Sequence, residues 1–186
     1  MWLARLFAVL ALAGVAAFAR GSSLPLDLSG HPVDIFATPA HIRVLVFVRT
    51  DCPISDRYAP ELHRIADEFH SRGVAFWLVY PDPTETSAAI TRHLSEYRYG
   101  WPALRDPGKI LVKRALVTVA PESAVFNASG ALVYHGRIDD RVVDFGKSRP
   151  AASDHDLEDA IAATLNGKTI VNPVTRAIGC FLADLE

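Results

Sequence analysis

The run Val44-Leu45-Val46-Phe47-Val48 narrows the possible folds more than any other stretch of the chain. It is apolar throughout and rich in β-branched residues, the pattern of a short strand buried at the centre of a sheet. Four residues later Cys52-Pro53 opens a helix, because proline suits the first helical position, where its missing N–H needs no partner. Leu62, Ile65, Ala66 and Phe69 then recur at three- and four-residue spacing and give that helix a core face. Pro60 inside it predicts a kink.

The same alternation continues. Leu24 to Phe36 reads as a lead-in with a turn at Ser29-Gly30. Val74 to Tyr80 repeats the buried-strand pattern after Gly73, and a second helix is expected from about Thr86 to Tyr97. "WPALRD" predicts a short strand and Gly108 to Leu116 a short helix. Two alternating runs joined by Asn127-Ala128-Ser129-Gly130 predict a hairpin. Ser153 as N-cap, acids in the first turn and a stop at Gly167 predict the last helix. Early strand–helix alternation closed by an antiparallel hairpin and a helix implies an α/β sandwich with a mixed sheet.

The 186 residues suit one domain, half of them hydrophobic and the net charge only −2. No basic stripe stands out, so nucleic acid is not an expected partner. The N-terminus reads as a secretory signal: Arg5, an apolar run from Leu6 to Phe18, then Ala17-Phe18-Ala19 as the cleavage pattern. That run is short for a bilayer span, which needs about 20 residues. The expected organisation is a signal over residues 1–19, a domain over 24–167 and a tail over 168–186 carrying Cys180. The mature protein is expected to be soluble and periplasmic or secreted, where two cysteines permit one internal disulfide.

Cys52 stands between a central strand and a helix start. The positive end of the helix dipole there favours a thiolate over the free thiol, whose pKa is about 8.5. The thiolate is the nucleophile in redox chemistry. The spacing is that of a C-x-x-C site, but the second position holds Ser55.

From these residues the segment resembles the active-site helix of the thioredoxin superfamily. Cys52 matches the attacking cysteine, Ser55 the resolving one, Ala59-Pro60 the kinking pair and "IADEF" the amphipathic tail. "VAPESAVFNASGALVYHG" matches a second landmark, with Pro121 as the cis-proline and Ala120 before it. The longer interval between Cys52 and Pro121 is similar to the redoxin branch, the alkyl hydroperoxide reductase/thiol-specific antioxidant (AhpC/TSA) group, and "DCPIS" with the tail "NPVTRAIGCF" resembles predicted bacterial redoxins. The resemblance implies a thioredoxin-like three-layer sandwich with a mixed central sheet. It also implies a substrate groove lined by Pro121, Ala120, Pro53 and Thr50.

The implied activity is that of an extracytoplasmic thiol–disulfide oxidoreductase. Cys52 is its nucleophile, Cys180 or an external thiol the resolver, and Ser55 a hydroxyl beside the thiolate. Its partners would be protein or small-molecule thiols, disulfides or peroxides, with no cofactor. A second reading is a thiol peroxidase in which Cys52 becomes a sulfenic acid and Cys180 condenses with it. The peroxidase pattern places Thr three residues before the cysteine; here Arg49 is there and Thr50 stands two before. A third reading is a non-catalytic binding or assembly module with a permanent Cys52–Cys180 disulfide, worth about 4–5 kcal/mol in the chain-entropy account. No metal site is expected, because the seven histidines lack ligand spacing; a copper site would need Cys180 and His135 together. His63, His70 and His93 are expected on helix surfaces, and Arg137, Asp139 and Asp140 on a surface loop, the alternative being that these last three line the groove near Pro121.

Overall fold

The computed structural model describes residues 24–37 and 39–182; the expected signal lies outside them. The opening apolar run is strand β1 (Ile42–Phe47), buried at every position. Its side chains alternate between two covered faces. Val44 and Val46 join Leu62, Ile65 and Phe69 on one side, together with Leu157 and Ile161. Leu45 and Phe47 join Leu104, Leu111, Val112 and Ala115 on the other. No position of β1 is left for a polar residue except Arg43, whose guanidinium reaches the carbonyls of Ile35 and Phe36.

Around β1 run α1 (Pro53–His70), β2 (Val74–Tyr80), α2 (Ser87–Glu96), β3 (Ala103–Arg105), α3 (Ile110–Ala115), β4 (Val119–Ala120), β5 (Glu122–Phe126) and β6 (Leu132–Gly136). Strands β7 (Val142–Asp144) and β8 (Lys147–Ser148), helix α4 (Asp156–Leu165) and β9 (Cys180–Phe181) follow. The main sheet has the order β3-β2-β1-β5-β6. β1 pairs parallel with β2 and antiparallel with β5, so the sheet is mixed. Helices α1 and α4 cover one face and α3 the other, which makes three layers.

Local chemistry explains the boundaries. Thr86 caps α2, its hydroxyl accepting from the Ala89 N–H at 3.2 Å. Pro60 lies inside α1 on its exposed side. Short α3 begins at Lys109 with no cap from that residue, and buried Asp106 supplies the acceptors instead. Its carboxyl oxygens take the N–H groups of Ile110, Leu111 and Val112 at 2.8–3.1 Å. Ser153 does not cap α4, which starts after His155. The Ser153 N–H is held by the Asp140 carboxylate at 2.7 Å, so the chain is still turning there.

The tail is strapped down along its length. The His135 N–H donates to the Pro173 carbonyl at 3.1 Å, and the Thr175 N–H returns to His135 at 3.2 Å. The Thr175 hydroxyl meets Tyr134 at 2.7 Å and accepts from the Arg137 N–H at 3.1 Å. Further on, β9 pairs antiparallel with β4, placing Cys180 opposite Ala120. Leu182 then enters the core, 2 % exposed. Gly179 makes this docking possible, since a Cβ there would fall 2.2 Å from the Ala120 carbonyl oxygen. A Gly179→Ala variant must push backbone apart, and the expected cost is about 1–3 kcal/mol in chemical denaturation. A variant as stable as the parent would show that the tail does not need this contact.

Candidate active site

β1 ends and the chain turns through Arg49-Thr50-Asp51 before α1. Cys52 is the helix N-cap, with φ −102° and ψ 105°, and Pro53 follows in the first turn. The cysteine sulfur accepts no N–H bond from its own helix. It faces two other groups instead: the Ala120 carbonyl oxygen at 3.2 Å and the Cys180 sulfur at 2.7 Å. Both cysteines are free thiols here. A disulfide needs about 2.05 Å between the sulfurs, so a shift of well under 1 Å would join them.

The walls of this site come from three loops. The Ala120–Pro121 peptide is cis, and Glu122 behind it holds β4 in place by accepting the Thr118 and Val119 N–H groups at 2.8 and 3.2 Å. Arg49 grips Asp51 through two 2.9 Å bonds, lies 3.6 Å from Asp82 and reaches the Phe181 carbonyl at 3.5 Å. One guanidinium thus links the loop before Cys52, the loop after β2 and the tail. The Thr50 N–H donates to Glu85 at 2.6 Å. Ser55 is wholly buried, and its hydroxyl has no hydrogen-bond partner among the described residues.

Two acids of the site, Cys180 and Glu85, titrate away from their ordinary range. Burial and the hydrogen bond to Cys52 push the Cys180 thiol up to about 12, while nearby Arg49 acts in the opposite direction. Burial also raises the Glu85 carboxyl above the usual carboxylate range, against the bonds from Thr50.

The residues singled out in the sequence therefore meet at one place: Cys52, Cys180, Ala120, Pro121, Pro53 and Thr50, with Ser55 one helical turn beneath. Others do not join them. His135 lies 3.5 Å from Glu122 and, among the described residues, hydrogen-bonds to neither sulfur. Asp139 and Asp140 are buried structural groups, not surface residues. Asp139 accepts from the Tyr58 hydroxyl at 2.7 Å and pairs with Arg141, and Asp140 holds Ser153 and Asp154. Arg137 pairs with Asp156 at 2.6 Å, next to α4.

His93 departs most from expectation. It is 5 % exposed, with one ring nitrogen 2.8 Å from the Tyr80 hydroxyl and the other 3.1 Å from Asp56 in the first turn of α1. The signal for this was its position three residues after the buried Ile90, on the core face of α2. Glu61, His155 and Glu158 come close together, but Arg64 bridges both carboxylates and makes the cluster an ion-pair network. A cavity of about 720 Å³ lies apart from these residues, beside His70, Gly73 and Trp101.

This architecture, a mixed sheet between helical layers with a cysteine at the strand–helix junction facing a cis-proline loop, is a thioredoxin-like fold. The family model described as AhpC/TSA family matches residues 16–135, and the chain belongs to that family. No curated protein sequence matches the chain. Among solved structures, a hypothetical protein from Sinorhizobium meliloti 1021 shares 24% identity at a TM-score of 0.71, with 86% of this chain and 88% of that one covered. An uncharacterized conserved protein from Geobacillus kaustophilus shares 22% identity at 0.70, over 87% and 89%. A secreted Mycobacterium tuberculosis disulfide oxidoreductase, described as homologous to E. coli DsbE, shares 21% at 0.53, over 77% and 93%. At these identities the likeness establishes the fold.

Glu85 binds its proton more tightly in the folded chain than in the unfolded one. Its contribution to stability is therefore complete below the unfolded pKa, about 4.3, and is lost as pH rises through the folded value. Glu85→Gln keeps an acceptor for Thr50 and cannot ionise. Urea denaturation should show the variant gaining stability relative to the parent as pH rises from about 4 to about 7. A difference that is flat with pH, or of opposite slope, would contradict this.

Proposed function

We propose that this protein is an extracytoplasmic thiol–disulfide oxidoreductase whose redox couple is Cys52 and Cys180. The observation that carries the reading is the 2.7 Å approach of the two sulfurs across 128 residues of chain. The pair also sits where a redox site is expected in this family, between the first turn of α1 and the cis-proline loop. Oxidation joins the sulfurs, and the two electrons and two protons pass to an acceptor disulfide, which becomes two thiols. Reduction runs the same exchange backwards at the expense of a dithiol.

Within this reading Ser55 explains why α1 carries one cysteine only. Its buried, unpartnered hydroxyl lies one turn from Cys52 and can donate to a thiolate there, while the second thiol comes from the tail. Cys52 is the nucleophile that closes the couple, and Ala120, Pro121, Pro53 and Thr50 form the surrounding wall. The expected signal at residues 1–19 supports an extracytoplasmic place, where such a couple can remain oxidised. No helix among the described residues is long and apolar enough to cross a membrane.

The test is turnover of a model disulfide with dithiothreitol as donor, run beside turnover of hydrogen peroxide. Cys52→Ser and Cys180→Ser are each expected to lower disulfide turnover by about 100-fold or more, with the double variant no worse than either, because the two residues act as a unit. A Cys180→Ser variant that keeps the parent rate would sink the couple. Turnover of peroxide but not of disulfide would replace the reading with the peroxidase one.

A further inference from the structure

Resting on that reading, the geometry points to Cys180, and not Cys52, as the sulfur that exchanges with a partner thiol. Displacement at a disulfide requires the entering sulfur to approach in line with the bond that breaks, so which sulfur is attacked depends on access along that axis. Cys52 is 0 % exposed and belongs to the main core cluster with Ile54, Tyr58 and Leu62. Its burial leaves an entering sulfur no solvent-exposed approach to it. Cys180 is partly exposed, so an entering sulfur has access to it that Cys52 lacks. This reverses the order implied by the strand–helix position of Cys52.

The alternative is a tail that lifts away and uncovers Cys52. Contacts on both sides of Cys180 oppose that. Before it, Thr175 is tied to His135, Tyr134 and Arg137, and Gly179 packs against Ala120. After it, the Leu182 N–H donates to Thr118 at 3.0 Å and the Leu182 side chain is buried. Exchange with the tail in place keeps all of these.

The step balances as follows. A partner thiolate attacks the Cys180 sulfur of the Cys52–Cys180 disulfide, a partner–Cys180 disulfide forms and the Cys52–Cys180 bond breaks. Cys52 departs as a thiolate at the N-terminus of an 18-residue helix, whose dipole favours negative charge there. A second partner thiolate then attacks the partner's own sulfur, making the partner disulfide and releasing Cys180, and the two protons of the partner thiols end on the two cysteines. The partner class is a dithiol. Cys52 acts on Cys180 alone.

The experiment uses the intact oxidised protein. Loss of two mass units first establishes the disulfide; a protein that shows none, with both thiols alkylated, overturns this inference and the preceding reading together. Glutathione is then added, the reaction is stopped with acid within seconds, free thiols are alkylated and the peptides are mapped. Glutathione should be found on Cys180 and the alkyl group on Cys52, by about tenfold or more over the reverse. Glutathione on Cys52, or equal shares, overturns the inference while leaving the couple intact. Thr175→Ala supplies a second readout that holds even where the adduct is too short-lived to map. Exchange with the tail in place leaves its reduction rate within about twofold of the parent, whereas a tail that must open would speed up about tenfold or more once those bonds are lost, and that result overturns the inference.

Discussion

Everything at this site depends on one close contact, the approach of Gly179 to the Ala120 carbonyl. The β4–β9 ladder is only two residue pairs long, too short to hold a tail by hydrogen bonds alone. It is held because glycine lets the two backbones touch, Thr175 anchors the segment before it and Leu182 fills the core after it. Those three fixed points leave Cys180 opposite Ala120, and that register puts its sulfur on Cys52. The tail is therefore docked as one strand of a two-stranded sheet with β4 and is not a free arm.

Buried acids hold the surrounding loops. Asp106 starts α3, which leads into β4; Glu122 fixes β4 from behind; Glu85 holds the Thr50 N–H two residues before Cys52; Asp140 turns the chain into α4. Each accepts backbone N–H groups that have no strand or helix partner, the condition under which burying a carboxyl group is tolerable. Four short loops that have little regular structure are thus each clamped by a side chain. In Asp106 and Glu85 the cost remains visible as carboxyls raised above their ordinary range by burial.

Features carried by local sequence were legible. Val44 to Val48 had to be a central strand because nothing in it tolerates water, and Cys52-Pro53 had to open a helix because proline suits that position. The hairpin around Asn127 to Gly130 announced itself by alternation, and the resemblance pointed to Pro121 as cis. What sequence could not show was pairing at a distance. Nothing near Cys180 indicates that it meets Ala120 in register, since that depends on a glycine whose neighbour lies 59 positions away. His93, Asp139 and Asp140 look like surface residues until Asp56, Tyr58 and Ser153 arrive from other elements to satisfy them. Polar residues in a sequence carry no mark of burial when their partners are not local.

The central claim is that Cys52 and Cys180 form a couple that opens and closes, as distinct from a permanent staple or two idle thiols. Equilibrating the protein across a series of glutathione or dithiothreitol redox buffers and reading the alkylated fraction by intact mass tests it directly. The account predicts one two-electron transition in which both cysteines change together, with a midpoint more positive than about −300 mV, the region of labile disulfides. A midpoint below that, where structural disulfides lie, or two thiols that never join in any buffer, would contradict it.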